Sequence, residues 1–169
     1  MSGPVRFALI GKSGSGKSRA GGFLSHRFGV AHLKTGAVCR EISRLLFSNE
    51  DKSSTQRLDD ALTPIDPCIF LRATLRPVAV NEGFVVDALR FREDLVLARE
   101  YGCKVIRVVA PEGVRVQRLI DRGQVFDPVT DGVHRSETEL DNVEVDFEIL
   151  NDADLATFER ALSRILAET

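Results

Sequence analysis

Apolar and polar positions fall into short blocks along this chain. Val5 to Ile10 is an apolar, β-branched run ended by glycine, which predicts a buried strand. Lys17 to Phe28 carries Phe23, Leu24 and Phe28 at helical spacing, and "GVAHL", Gly29 to Leu33, predicts a second strand. "TGAVCREISRLLF" sets Val38, Ile42, Leu45 and Leu46 on one helical face. From Ser48 to Thr63 the chain turns polar and reads as a mobile connection. Pro64 opens a further helix running to about Val80, irregular near Pro67 and Pro77.

The second half repeats the alternation. "GFVVDALRF" predicts a third strand whose last residues, Asp87 to Phe91, leave the sheet. "REDLVLAREYG" predicts an amphipathic helix closed by Gly102, "CKVIRVVA" a fourth strand, and "PEGVRVQRLIDRG" a helix with proline first and glycine last. "QVFDPVTDGVHRSETELD" is polar and turn-rich; "VDFEIL" predicts a fifth strand, and "DADLATFERALSRILAE" an Asp-capped closing helix. Strands alternating with helices imply βαβ units, a parallel sheet and helices on both faces. Ligands of such sheets bind beyond the carboxyl ends of the strands. The loops after Ile10, Leu33, Asp87 and Ala110 should therefore border one crevice.

Composition adds bounds. The 169 residues suffice for one domain and fall short of two. A net charge of -2 argues against a general nucleic-acid binder. Cys39, Cys68 and Cys103 match no metal spacing and predict reduced, buried thiols of a cytoplasmic protein. No apolar run is long enough to cross a bilayer.

One stretch carries the chemistry. "GKSGSGKS", Gly11 to Ser18, follows a predicted strand, opens a predicted helix and fits G-x-x-x-x-G-K-S, the phosphate-binding loop. Its glycines let successive amides turn toward an anion, and the helix adds its positive end. This assigns Gly11, Ser13, Gly14, Ser15, Gly16, Lys17, Ser18 and Arg19 to ATP, with Lys17 on the β- and γ-phosphates and Ser18 on Mg²⁺. Lys12 has no assigned role and is expected to be solvated.

Further motifs suggest what receives the phosphoryl group. "LKTGAVCR" resembles the acceptor-binding segment of nucleoside monophosphate kinases, with Thr35, Gly36 and Arg40 at matching spacing and Ala37 in place of the usual Asp. "VVDALRF" resembles the "DxxR" segment of phage-type deoxynucleoside monophosphate kinases and dephospho-coenzyme A kinases. By that resemblance Asp87 would hold Mg²⁺ through water, accept a proton or bind the acceptor, and Arg90 would hold the acceptor's phosphate. "RLxxR", Arg118 to Arg122, resembles the start of these kinases' lid, where arginines close over the transferring group. Arg115 on the same helix is read as an exposed arginine paired with Glu112 or Asp121.

"HRSE" resembles a segment of the phage-type enzymes, with Arg135 as the lid contact. Ser136 and Glu139 also satisfy a capping box. "ILND" resembles the family's last strand end, where Asn151 would border the donor adenine or cap a helix, the cap being preferred.

The resemblance spans Val5 to Leu166 in motif order. It implies a three-layer α/β P-loop NTPase fold with a five-stranded parallel sheet, an acceptor-binding insertion at about 35–82 and a lid at about 122–142. It further implies ATP, Mg²⁺ and transfer to a (deoxy)nucleoside monophosphate, with catalysis by Lys17, Asp87, Arg118, Arg122 and Arg135. The alternatives are a hydroxyl acceptor, such as dephospho-coenzyme A or a modified nucleoside, and a regulatory P-loop protein without turnover. The "NKxD" segment of small GTPases is absent. The partner expected is a nucleotide-like small molecule; a homodimer is left open.

Overall fold

In the computed structural model, which describes residues 3–167, five strands form one all-parallel sheet. They are β1 (Arg6–Ile10), β2 (Ala31–Lys34), β3 (Phe84–Asp87), β4 (Lys104–Val109) and β5 (Phe147–Leu150). Their spatial order is β2-β3-β1-β4-β5. The P-loop strand is thus central, and its Leu9 pairs in register with Asp87 of β3 and Ile106 of β4. Lys34 of β2 pairs with the same Asp87, so these strand ends share one edge.

Side-chain alternation along β1 builds both faces of the core. Phe7 and Leu9 pack with Ala20 and Leu24 of α1 (Lys17–Phe28) and Phe158 and Leu162 of α8 (Leu155–Ala167). Ala8 and Ile10 face the other way, toward Leu71 and Leu75 of α4 (Ile69–Leu75) and Leu97 and Ala98 of α5 (Arg92–Glu100). These helices hold the sheet from both sides, which is the three-layer arrangement. A satellite cluster of Cys39, Leu58 and Phe70 joins α2 (Thr35–Phe47), α3 (Lys52–Leu62) and α4. All three cysteines are free and buried.

Three local expectations are corrected. Most of the stretch read as a mobile connection, 48–63, is the helix α3, capped by Asp51, whose carboxylate accepts from the Ser54 amide at 2.7 Å. Its polar residues are buried by specific partners, which a polarity pattern does not register. The helix expected from Pro64 to Val80 is confined to Ile69–Leu75, because 64–68 forms turns. The capping box of Ser136 and Glu139 does not form: His134 caps α7 (Arg135–Thr138) by accepting from the Ser136 amide at 3.2 Å, and Glu139 accepts from the Arg92 amide. Between α6 (Glu112–Asp121) and α7 lies a 3-10 turn, Asp131–Val133. The Asp cap of α8 is Asp154, which accepts from the Thr157 amide at 2.7 Å; Glu168, expected at this helix's end, lies outside the described residues.

Candidate functional site

Gly11 leaves β1 with φ +140, and a Cβ there would stand 2.2 Å from the Val108 carbonyl. Only glycine lets the chain turn this closely over β4 and begin the loop. The loop is then braced from outside. Asn151 donates from Nδ2 to the Ser15 carbonyl at 2.8 Å, and Arg118 donates to the Asn151 carbonyl at 3.2 Å and the Gly14 carbonyl at 3.4 Å. Arg115 donates to the Ser13 carbonyl at 3.1 Å, so it supports the loop rather than pairing with Glu112 or Asp121. Asn151 likewise acts on the loop and does not cap α8. Ser15 Oγ is buried inside the turn, with no hydrogen-bond partner among the described residues.

Lys17 lies within the turn and donates to the carbonyls of Gly11 and, at 2.8 Å, Lys12. Burial lowers its pKa to about 8, opposed by the negative charges of Glu137 and Asp87. Lys12 pairs with Asp141 at 3.0 Å, both side chains remaining more than one third exposed. Arg19 faces α8, 3.6 Å from Glu159, away from the cleft.

A cleft of about 700 Å³ opens beyond the loop, lined by Lys17, Ser18, Gly36, Arg40, Asp87, Arg90 and Arg122 among others. Asp87 is only 2% exposed, and its Oδ2 lies 2.8 Å from Nε2 of His32, a partner that sequence reasoning missed. The next residue, Ala88, has φ +65, an uncommon left-handed conformation for a residue with a Cβ. Thr35 holds it there by donating to the Ala88 carbonyl at 2.7 Å. The Thr35 hydroxyl therefore shapes the cleft floor from beneath, on a residue 3% exposed, rather than facing an acceptor.

Arg40 and Arg90 converge. A Cβ on Gly36 would lie 3.0 Å from Nη1 of Arg40 and 3.2 Å from Nη2 of Arg90. Arg90 also donates to Asp59 of α3 at 2.7 Å, whereas the Arg40 guanidinium has no hydrogen-bond partner among the described residues. Two guanidiniums at one point suit a bidentate oxyanion. Arg122 is exposed at the cleft rim. Arg135 does not reach the loop: it lies 4.2 Å over the Phe91 ring and donates to Thr63 Oγ1 at 3.1 Å.

From the neighbouring segment comes Glu137 instead, with no signal in the sequence beyond its place in "HRSE". Its carboxylate accepts from the Ser13 amide at 2.7 Å and from Lys52 of α3 at 2.7 Å. Burial alone would raise its pKa; the Lys52 and Lys17 charges, with hydrogen bonds from Lys52 and Ser13, outweigh this and bring it down to about 2.

Among the described residues, no group of three or more His, Cys, Asp or Glu side chains is arranged to hold a metal. Mg²⁺ on a nucleotide needs only one or two protein oxygens beside the phosphates. Ser18 and Asp87 line the same cleft, and Asp87 Oδ1 has no hydrogen-bond partner among the described residues, so the pair fits such an ion.

Sheet order and glycine turn define a three-layer α/β P-loop fold. The chain is similar to a gluconokinase from Sinorhizobium meliloti, with a TM-score of 0.68 and 19% identity over 99% of this chain and 97% of that one. A sugar kinase from Janibacter sp. gives 0.63 at 19% identity, covering 97% and 93%. A shikimate kinase from Acinetobacter baumannii, in complex with shikimate, gives 0.60 at 14% identity, covering 98% and 95%. No protein-family profile matches the chain, and no curated protein does. The fold is therefore that of the P-loop small-molecule kinases, without the nucleoside monophosphate kinase subgroup being singled out. No helix among the described residues is long and apolar enough to cross a membrane.

Proposed function

We propose that this chain is an ATP-dependent kinase, moving the γ-phosphoryl group of ATP to a hydroxyl of a small anionic acceptor. One observation carries the reading: the P-loop lysine Lys17, the carboxylate of Asp87 and the converging Arg40 and Arg90 line one cleft. The neighbours named as gluconokinase and shikimate kinase support a hydroxyl acceptor that bears a negative group. A hydroxyl, unlike a phosphate, must give up a proton on attack, and Asp87 is the group we assign to receive it. Arg40 and Arg90 would hold the acceptor's anionic end, and Arg122 would meet the transferring group from the rim. Mg²⁺, held by Ser18 and through water by Asp87, would neutralise charge on the phosphates. A cytoplasmic location belongs to the same proposal.

The convergence of Arg40 and Arg90 also favours a second reading, in which the acceptor is a (deoxy)nucleoside monophosphate held through its phosphate. An ADP-release assay separates the two. It should be run across small hydroxy acids, dephospho-coenzyme A, modified nucleosides and nucleoside and deoxynucleoside monophosphates, beside Lys17→Ala. Acceptor-dependent release lost in Lys17→Ala is expected; ATP binding without release for any acceptor would leave a regulatory nucleotide-binding protein.

A further inference from the structure

The Glu137 carboxylate sits where a loop built for phosphate offers its donors. Besides the Ser13 amide, it accepts from the Ser13 hydroxyl at 2.6 Å, and the oxygen that takes this hydroxyl also takes Lys52. The side chains are nearly enclosed, 5% exposed for Glu137 and 16% for Lys52. Ser13 is the third residue of the P-loop, Lys52 opens α3, and Glu137 belongs to α7, so one carboxylate ties three separate parts of the cleft wall. Its two oxygens, a short distance apart on one trigonal carbon, offer acceptors much as two oxygens of a terminal phosphoryl group do.

We infer that Glu137 is a built-in stand-in for the γ-phosphoryl group: a nucleoside triphosphate displaces it and takes over Ser13 and Lys52. Lys52 then becomes a further cation of the transfer machinery, delivered from the acceptor side. This rests on the chain being an ATP-dependent kinase. Two anions cannot share one set of donors without strong repulsion, and Glu137 remains ionised throughout the neutral range. A diphosphate ends one phosphate short of the contact and leaves Glu137 in place. The contact thus distinguishes the nucleotide before transfer from the nucleotide after it, releasing α7 for the first and recapturing it for the second.

The test is titration calorimetry on the full chain with Mg²⁺, using ADP and a non-hydrolysable ATP analogue. Glu137→Gln, which removes the charge and keeps the shape, should bind the analogue about tenfold more tightly, as expected for a lost charged competitor, and ADP unchanged. In that background, Lys52→Met should weaken the analogue about tenfold and again spare ADP. Equal shifts for both nucleotides, or a weaker analogue in Glu137→Gln, overturn the inference. Wild-type protein that binds neither nucleotide overturns the kinase reading and this inference together. Should Glu137→Gln not fold, hydrogen exchange on the wild-type chain decides: segment 134–139 should exchange faster with the analogue than with ADP, and equal or slower exchange overturns the inference.

Discussion

Arg90 donates from Nη1 to Asp59 Oδ2 at 2.7 Å, and Asp59 has no solvent exposure at all. The arginine assigned to the acceptor is therefore also one half of a buried ion pair between the β3–α5 loop and α3. Removing one partner leaves an uncompensated charge. Arg90→Ala should cost about 3 kcal/mol in chemical denaturation besides raising the acceptor KM. Asp59→Leu with Arg90→Met should regain much of that stability and none of the acceptor affinity; a double variant no more stable than Arg90→Ala would refute the pairing argument.

Gly21 on α1 makes room for the imidazole that meets Asp87. A Cβ there would lie 2.3 Å from His32 Nε2. Gly21→Ala should push the ring off the carboxylate and lower the melting temperature, with overpacking of about 1–3 kcal/mol. Turnover should fall with it. Adding His32→Ala should relieve the clash but recover melting only in part, because Asp87 then loses its buried partner, and should not restore turnover, which differential scanning fluorimetry and the ADP assay read side by side.

Asn151 reaches the P-loop without lining the cleft. Asn151→Ala frees the Ser15 carbonyl and loosens Arg118. Nucleotide affinity should drop about tenfold, the scale of one or two lost hydrogen bonds, with the acceptor KM unchanged. Calorimetry showing unchanged nucleotide binding would remove the bracing role.

Asp94 accepts from the Arg90 and Phe91 amides at the start of α5, and burial, only partly opposed by those bonds, raises its pKa from 3.8 to about 6. A carboxyl with a folded pKa above its unfolded one costs stability where it is ionised in both states. That cost is complete above about pH 6 and is relieved as pH falls toward about 4. Relative to Asp94→Asn, the wild-type chain should therefore lose stability as pH rises from about 4 to about 6. Parallel denaturation curves across that window would contradict the shift.

The sheet and most helices were legible because their burial follows period: the alternation of Phe7, Ala8, Leu9 and Ile10 across two core faces is the signal itself. The P-loop was legible because its chemistry is local in sequence. Helix α3 was not, since Asp59 and Gln56 are buried through Arg90 and the Asp131 carbonyl, partners a periodicity count does not see. Nor were His32 with Asp87, 55 residues apart, or Lys52 with Glu137, 85 apart; each residue alone reads as an ordinary polar position. Arg135 looked the better lid contact because an arginine suits a phosphate, yet the carboxylate two positions on reaches the loop.

The central position of β1 has a consequence for synthesis. The nucleotide cradle is written in the eight residues Gly11–Ser18, but Gly11 is fitted against Val108 and Ser15 is tied by Asn151. A ribosome releases these eight residues long before it makes their supports. An emerging chain should thus stay blind to ATP until β4, β5 and Asn151 have been made, and ligand rescue during biosynthesis can begin only once β5 has docked.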